Sequence, residues 1–260
     1  MIKGKSAVVT GSTSGIGLGI ARVLAGEGVN LVLNGFGEKA AIEEERSAIE
    51  REFGVEAVYS PADISRPDDV KVMIQLCVDS FGGIDILVNN AGIQFTAAVE
   101  EFPADKWNTI IAINLSGVFW GIHHALPFMK AAGFGRIINI SSVHGLVGSV
   151  HKAAYVAAKH GVLGLSKVVA LENAGTGVTC NSICPGWVHT PLVQKQIEAN
   201  AVAKGIGVEA ATSELLAEKQ PSRQFVTPGQ IGELAAWIAS DASAQMTGVA
   251  LPIDGGWTAQ

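Results

Sequence analysis

Short apolar runs alternate along the chain with longer segments of helical period. Each run has four to six residues and is rich in Val, Ile and Leu, which is typical of strands buried on both faces of a sheet. The runs lie at Ser6–Thr10, Asn30–Asn34, Ala57–Ser60, Ile84–Val88, Arg136–Ile140, Val178–Ile183 and Val249–Ile253. With short links between them, this alternation predicts an α/β fold with a doubly wound parallel sheet of about seven strands, flanked by helices on both faces.

The segments between these runs have a helical pattern. Helices are expected at Leu18–Ala25, Lys39–Phe53, Pro67–Phe81, Trp107–Met129, around Tyr155–Lys159 and at Pro228–Ser240. Trp107–Met129 is apolar around most of its circumference, which predicts that it is buried or lies in a subunit contact. A polar helical insertion at about residues 188–221 is expected to form a lid. Because no repeat or low-complexity linker is present, residues 1–260 are expected to form one domain.

Composition narrows the function classes. Apolar residues make up 48% of the 260 residues and charged residues 16%, so a large core is expected. The net charge of −6, without a basic run, disfavours nucleic acid as a partner. The three cysteines, Cys77, Cys180 and Cys184, lack metal-ligand spacing, so no metal site is expected. No signal peptide and no apolar run near the ~20 residues of a membrane span are evident, which predicts a cytoplasmic protein with no membrane partner.

A glycine-rich turn follows the first strand and opens the first helix. Its spacing over Gly11–Gly17 is Gly-x-x-x-Gly-x-Gly. Strand, glycine turn and helix are the context in which backbone N–H groups bind the pyrophosphate of a dinucleotide in a Rossmann-type fold, although a plain turn has the same pattern. The second strand ends at Asn34-Gly-Phe36-Gly, with no cation at 12–14 or 35–37 for a 2′-phosphate. NAD is therefore favoured over NADP, and Lys39 is the nearest cation.

Tyr155 and Lys159 are four residues apart, so a helix places both on one face. An ammonium near a phenol favours the phenolate, so Lys159 is expected to lower the pKa of Tyr155 and make it a proton donor and acceptor. A surface helix pair is the alternative. Ser142, just past the strand Arg136–Ile140, supports the chemical interpretation because ligands of such sheets bind at the carboxyl ends of the strands.

Three other polar residues remain ambiguous from their spacing. Asn114 lies inside an apolar helix and needs hydrogen-bond partners if it is buried. Lys152 is expected in the first turn of the helix of Tyr155, where a cation opposes the helix dipole. It either binds an anionic substrate or is solvated. His144 is compatible with a ligand-binding, a core or a general-acid role.

Taken together, the motifs resemble the short-chain dehydrogenase/reductase family over most of the chain. They are Thr10-Gly-x-x-x-Gly15-x-Gly17, Asn89-Asn-Ala-Gly92, Asn114, Ser142, Tyr155-x-x-x-Lys159 and Pro185-Gly186. In detail the chain is similar to NAD-dependent members that act on D-3-hydroxybutyrate, in Asn34-Gly-Phe36-Gly, Asn89-Asn-Ala-Gly-Ile-Gln94, His144-Gly145, Trp187, Glu218-Lys-Gln-Pro221, Gln224-Phe-Val-Thr-Pro228 and Asp254-Gly-Gly-Trp-Thr-Ala259. The resemblance implies oxidation of a small 3-hydroxy acid.

The family resemblance also implies roles for these residues. Tyr155 would accept the hydroxyl proton, Lys159 would lower its pKa and hold the nicotinamide ribose, Ser142 would bind the substrate oxygen, and Asn114 would support a proton-relaying water. Substrate-binding residues would be Gln94, Ser142, His144, Lys152, Tyr155, Trp187, Gln196 and Trp257. Residues that bind NAD would be Gly11, Thr13, Ser14, Gly15, Ile16, Gly17, Phe36, Asp63, Ile64, Asn90, Ala91, Gly92, Tyr155, Lys159, Pro185, Gly186, Trp187, Val188 and Thr190. A homotetramer is expected.

Three positions depart from the pattern of these family members. Phe95 stands where a His is usual, Val143 where Ala is usual and His189 where an Arg is usual. Phe95 and Val143 are expected to affect the size of the pocket. Two other functions stay open. One is a relative that acts on a longer 3-hydroxy acid or on another alcohol, such as a neutral sugar or a 3-oxoacyl thioester, and the other is a nucleotide-sensing protein without catalysis.

Overall fold

The protein is described by a computed structural model that covers residues 1–259. Its seven strands form one parallel sheet, as the apolar runs predict, and their order is β3-β2-β1-β4-β5-β6-β7. The strands are β1 (Ser6–Val9), β2 (Asn30–Asn34), β3 (Ala57–Ser60), β4 (Ile86–Asn89), β5 (Gly135–Ile140), β6 (Val178–Pro185) and β7 (Ala250–Ile253). The strand order reverses between β1 and β4, so a crevice opens at their carboxyl ends.

Helices cover both faces of this sheet. They are α1 (Gly15–Gly26), α2 (Lys39–Phe53), α3 (Pro67–Phe81), α4 (Ala104–Ile111), α5 (Gly117–Ala132), α6 (Ala153–Glu172), α7 (Pro191–Lys204), α8 (Val208–Lys219) and α9 (Pro228–Ala239). Several begin where the sequence has a start signal: Pro67 opens α3, and Thr227 and Gln230 form a capping box on α9. The fold is therefore the predicted Rossmann-type doubly wound sheet.

Two apolar layers hold the helices on the sheet. One contains buried side chains of α1, α2 and α9, such as Leu24, Ile49 and Ile238. The other contains side chains of α3, α5 and α6, such as Met73 and Met129. Each such side chain contributes about 1.5–3 kcal/mol by leaving water, so the layers fix the helices that position the cleft.

Some predictions for the elements need correction. The helix predicted at Trp107–Met129 is divided by a π-helical turn at Ala112–Ser116. The strand predicted at Ile84–Val88 begins only at Ile86. The reason is that the Ser6 N–H, at the start of β1, donates to the Asp85 carboxylate (2.9 Å) and not to a backbone carbonyl. The same carboxylate accepts a hydrogen bond from the Lys5 ammonium (2.8 Å). The expectation that no segment is long and apolar enough to span a membrane is also wrong. The helical segment Ala104–Ala132 meets that criterion by length and composition. In this fold it packs against the sheet and α3, with Ile122 and Met129 in the core.

The predicted lid is an insertion of two helices, α7 and α8. Its interior is a separate apolar cluster that includes Ile197, Ala201 and Ala211. The two chain segments at its base are joined by a β-bridge between Val188 and Val226. The lid therefore has its own small hydrophobic core, and the β-bridge joins the two segments that connect it to the rest of the fold.

Candidate active site

The glycine turn between β1 and α1 forms a cradle in which side chains do not fit. A Cβ on Gly17 would lie 2.2 Å from the Gly11 carbonyl oxygen. Gly11 and Gly15 have φ values of +63° and +57°, in the left-handed region that favours glycine. Ser14, the N-cap of α1, makes no side-chain capping hydrogen bond, so the N–H groups at this helix end have no side-chain partner there. The cradle fits the pyrophosphate of a dinucleotide.

Two asparagines tie this turn to the neighbouring strands. The buried Asn34 side chain accepts from the Gly11 N–H (3.2 Å) and donates to the carbonyls of Ser60 and Ala62. Asn90 Nδ2 donates to the Gly11 carbonyl at 3.1 Å. Sequence reasoning assigned no such role to Asn34. The available signal was a polar residue at the end of a buried strand.

At the other end of the cleft, β5 and α6 bring Ser142, Tyr155 and Lys159 together. Ser142 follows β5, and its oxygen accepts from the His144 N–H at 3.2 Å. Lys159 Nζ donates to the Ile140 carbonyl (2.7 Å) and lies 5.5 Å from the centroid of the Tyr155 ring. Burial lowers the pKa of Lys159 to about 8. The expectation of one shared face for Tyr155 and Lys159 is confirmed.

The expected lowering of the Tyr155 pKa is not found in this structure. Burial raises the pKa of Tyr155, and hydrogen bonding with Ser142 only opposes that shift. The physical reason is that loss of water disfavours the phenolate, while the Lys159 ammonium is engaged by the Ile140 carbonyl. Sequence spacing describes the proximity of the two groups but not their desolvation.

Asn114 is fully buried at a π-helical turn, Ala112–Ser116, that joins α4 to α5. Its Oδ1 accepts from the Ile93 N–H (2.9 Å) and its Nδ2 donates to the Ile93 carbonyl (2.8 Å). Both polar atoms of the amide are therefore paired, as burial requires. The interruption of the helix was not predicted, although π-turns of this kind are frequent at functional sites.

Lys152 and His144 form a polar pair in the cleft wall. Lys152 is the N-cap residue of α6 rather than a first-turn residue, and its Nζ lies 3.3 Å from His144 Nε2. Burial, and next the charge of Lys152, lower the pKa of His144 to about 4, so its ring is neutral at pH 7. If Nε2 accepts from the ammonium, Nδ1 carries the proton, and that buried donor has no partner among the described residues.

Two tryptophans lie beside this pair. The Trp257 ring centroid is 5.4 Å from that of His144 and 6.1 Å from that of Trp187. Lys152 Nζ lies 5.7 Å from the Trp187 ring centroid. The ammonium therefore lies next to the aromatic face of Trp187, and burial lowers the pKa of Lys152.

One continuous cleft of about 560 Å³ contains nearly all the residues singled out from the sequence. Gly17 and Asn114 do not line it and instead support its walls. Phe95 and His189 do not line it either. Phe95 packs against Phe102, so its expected effect on pocket size is not found, whereas Val143 does line the cleft. Further lining residues, to which no binding role was assigned from the sequence, are Asn34, Gly35, Ala62, Ile93, Ile113, Ile140, Pro191 and Val193.

Known proteins are similar to this chain in sequence and in fold. The family profile described as "Enoyl-(Acyl carrier protein) reductase" matches residues 11–258. The D-beta-hydroxybutyrate dehydrogenase of Cupriavidus necator is 55% identical over 260 residues, covering 100% of both chains. The enzyme of the same name from Rhizobium meliloti is 52% identical and covers 98% of this chain and 99% of its own. A substituted actinorhodin polyketide ketoreductase with NADPH has a TM-score of 0.90 at 36% identity, covering 97% of both chains.

Proposed function

The chain belongs to the short-chain dehydrogenase/reductase family, and we propose that it oxidises D-3-hydroxybutyrate to acetoacetate, reversibly, with NAD. This proposal rests on the Lys152–His144 pair, which lies in the same cleft as Tyr155. Among the described residues, the Lys152 ammonium has no counter-charge and the buried Nδ1 of His144 has no hydrogen-bond partner. No carboxylate among residues 1–259 lies within 4.0 Å of the Lys152 ammonium. A substrate carboxylate would provide that partner.

In this reaction, the side chains of the protein would transfer the proton and orient the substrate and the cofactor. A bound nicotinamide dinucleotide supplies the hydride acceptor. Tyr155 accepts the hydroxyl proton, while Ser142 hydrogen-bonds the substrate oxygen and, in the reverse direction, stabilises the developing alkoxide. For that transfer the pKa of Tyr155 must fall from its raised value, and Lys159 is the cation over its ring. Lys159 also holds the nicotinamide ribose, and Asn114 supports the proton-relaying water.

The substrate and the adenosine half of the cofactor would occupy opposite ends of the cleft. The carboxylate lies against Lys152 and His144, with Gln94 and Gln196 as further donors, and Trp187 and Trp257 close the apolar side. The glycine turn holds the pyrophosphate, while Phe36, Asp63 and Ile64 surround the adenosine. A neutral sugar leaves the ammonium without a counter-charge, and a purely sensing protein has no use for the Ser142–Tyr155–Lys159 group.

A panel of D- and L-hydroxy acids and neutral alcohols with NAD tests this proposal. D-3-hydroxybutyrate should have the highest kcat/KM. Tyr155→Phe should lower kcat by about 10²–10⁴-fold while NAD binding persists, because the proton acceptor is lost. Lys152→Met should raise the KM for 3-hydroxybutyrate and leave the KM for NAD unchanged. Higher kcat/KM for a neutral alcohol, or unchanged kinetics of either variant, contradicts the proposal.

The preference for NAD over NADP rests on the absence of a cation near the adenosine. Lys152 and Lys159 are the only lysines or arginines among the described lining residues, and both lie at the catalytic end. Phe36, two residues past the end of β2, is 70% exposed and has room for a longer side chain. Phe36→Arg should therefore raise kcat/KM for NADP about tenfold or more, because it supplies a counter-charge for the 2′-phosphate. Phe36→Gln is the uncharged control, and an equal gain in both variants argues against this account.

A further inference from the structure

Gln220 is an amide buried at the junction of three chain segments that frame the cleft. It follows the last residue of α8 at the base of the lid and is only 1% exposed. Its Oε1 accepts from the Trp187 N–H at 2.8 Å, and its Nε2 donates to the Gln224 carbonyl. One side chain therefore joins the end of β6 to the segment that leaves the lid.

The third segment is the C-terminal turn that carries Trp257. A Cβ on Gly255 would lie 2.8 Å from Gln220 Cγ, and a Cβ on Gly186 would lie 2.7 Å from Gln220 Oε1 and 2.9 Å from the Cα of Asp254. The contacts are too close for any larger residue at either glycine, so Gln220 is packed between the two turns. Asp254 closes the C-terminal turn by accepting from the Thr258 N–H at 2.8 Å.

Both turns place an aromatic ring on the same part of the cleft. Trp187 and Trp257 are 6.1 Å apart at their ring centroids, and Trp257 contacts His144. Without Gln220, the Trp187 N–H would have no acceptor in a buried place, so the turn would move to find one.

We propose that Gln220 is a positioning residue for the substrate end of the cleft, holding Trp187 and Trp257 at the spacing that closes the apolar side of the pocket. The proposal rests on the function proposed above, because it assigns this end of the cleft to the substrate. Gln220 does not line the cleft itself, and it acts through the two tryptophans. It also links their spacing to the base of the lid.

Hydrogen–deuterium exchange of the intact protein tests the positioning without any assay of activity. Gln220→Met has a similar size and removes both hydrogen bonds, so exchange should increase in residues 186–189 and 254–258. Gln220→Glu keeps an acceptor for the Trp187 N–H and should exchange at an intermediate rate. The matched control is Asn181→Leu, because Asn181 is also a buried amide with one bond to the Met246 carbonyl (2.7 Å) and one from the Val249 N–H (3.2 Å), away from the cleft. Unchanged exchange at both tryptophan segments in Gln220→Met overturns the proposal.

Steady-state kinetics test the consequence for the substrate. Gln220→Met should raise the KM for D-3-hydroxybutyrate about tenfold and leave the KM for NAD within about twofold, with Gln220→Glu between it and the wild type. Asn181→Leu should change neither KM, even if its melting temperature falls as much as that of Gln220→Met. Faster exchange without this split in KM refutes the role of Gln220. Failure of the wild type to oxidise the hydroxy acid refutes the proposed function instead, and the exchange experiment alone then decides the role of Gln220.

Discussion

At the scale of single residues, burial changes what the side chains of the cleft can do. Tyr155 and Lys159 lie on one helix face, as their spacing predicts, but burial raises the pKa of the phenol and lowers that of the ammonium to about 8. His144 was ambiguous in the sequence, and the structure makes it a neutral ring that contacts Lys152. The chemistry of each group thus follows from its surroundings more than from its residue type.

The depressed pKa of His144 predicts a pH dependence of stability. The folded protein keeps this ring neutral down to a pKa of about 4, whereas the reference value is 6.5. Between these values the unfolded chain binds more protons, so stability falls as the pH is lowered from 6.5 towards 4. Relative to His144→Gln, the wild type should lose up to about 3 kcal/mol over this range in urea unfolding. A difference between the two proteins that stays constant with pH contradicts the prediction.

At the scale of elements, the π-turn that interrupts the helical segment Ala104–Ala132 helps to form the candidate site. The π-turn at Ala112–Ser116 lets Asn114 bind both backbone groups of Ile93, the residue before Gln94. A regular helix was predicted because the apolar pattern continues through this turn. The sequence signal was the amide itself, which needs partners when buried.

Replacement of Asn114 should affect both stability and the substrate site. Asn114→Leu leaves the Ile93 N–H and carbonyl without partners, so we expect a loss of about 2 kcal/mol in the free energy of unfolding. The KM for 3-hydroxybutyrate should also rise, because the segment that carries Gln94 loses its anchor. Urea unfolding and steady-state kinetics measure these two effects. Asn108→Leu, on the exposed surface of α4, should change neither, and an unchanged Asn114→Leu protein would exclude this anchoring role.

At the scale of the whole molecule, the reversal of strand order between β1 and β4 collects residues from distant parts of the chain into one cleft. The same sheet leaves apolar side chains exposed on the helices of its α5–α6 face. Val168 and Leu171 of α6 are 50% and 79% exposed, and Phe119 of α5 is also exposed. Burial of such side chains between subunits is favourable, so we expect subunits to meet at this face. The homotetramer itself stays a prediction. A single domain over residues 1–260 and a cytoplasmic location remain predictions.

The tetramer prediction can be tested by sedimentation velocity. The wild type should sediment with about four times the mass of the 26.9 kDa chain. Val168→Glu combined with Leu171→Glu should lower that mass, because buried unpaired carboxylates oppose association. Val202→Glu is the control, since Val202 is 84% exposed on the lid helix α7 and should not affect assembly. A monomeric wild type, or an unchanged mass in the double variant, contradicts the assignment of this face.

The sequence alone determined the strands, most helices, the glycine turn and the grouping of Ser142 with Tyr155 and Lys159. These features depend on local periodicity and on backbone freedom, which neighbouring residues encode. The tertiary structure alone decided the hydrogen bonds of Asn34 and Gln220, the packing of Phe95 against Phe102 and the raised pKa of Tyr155. Each of these depends on which distant segments meet and how much water they exclude, and no local pattern along the chain records that.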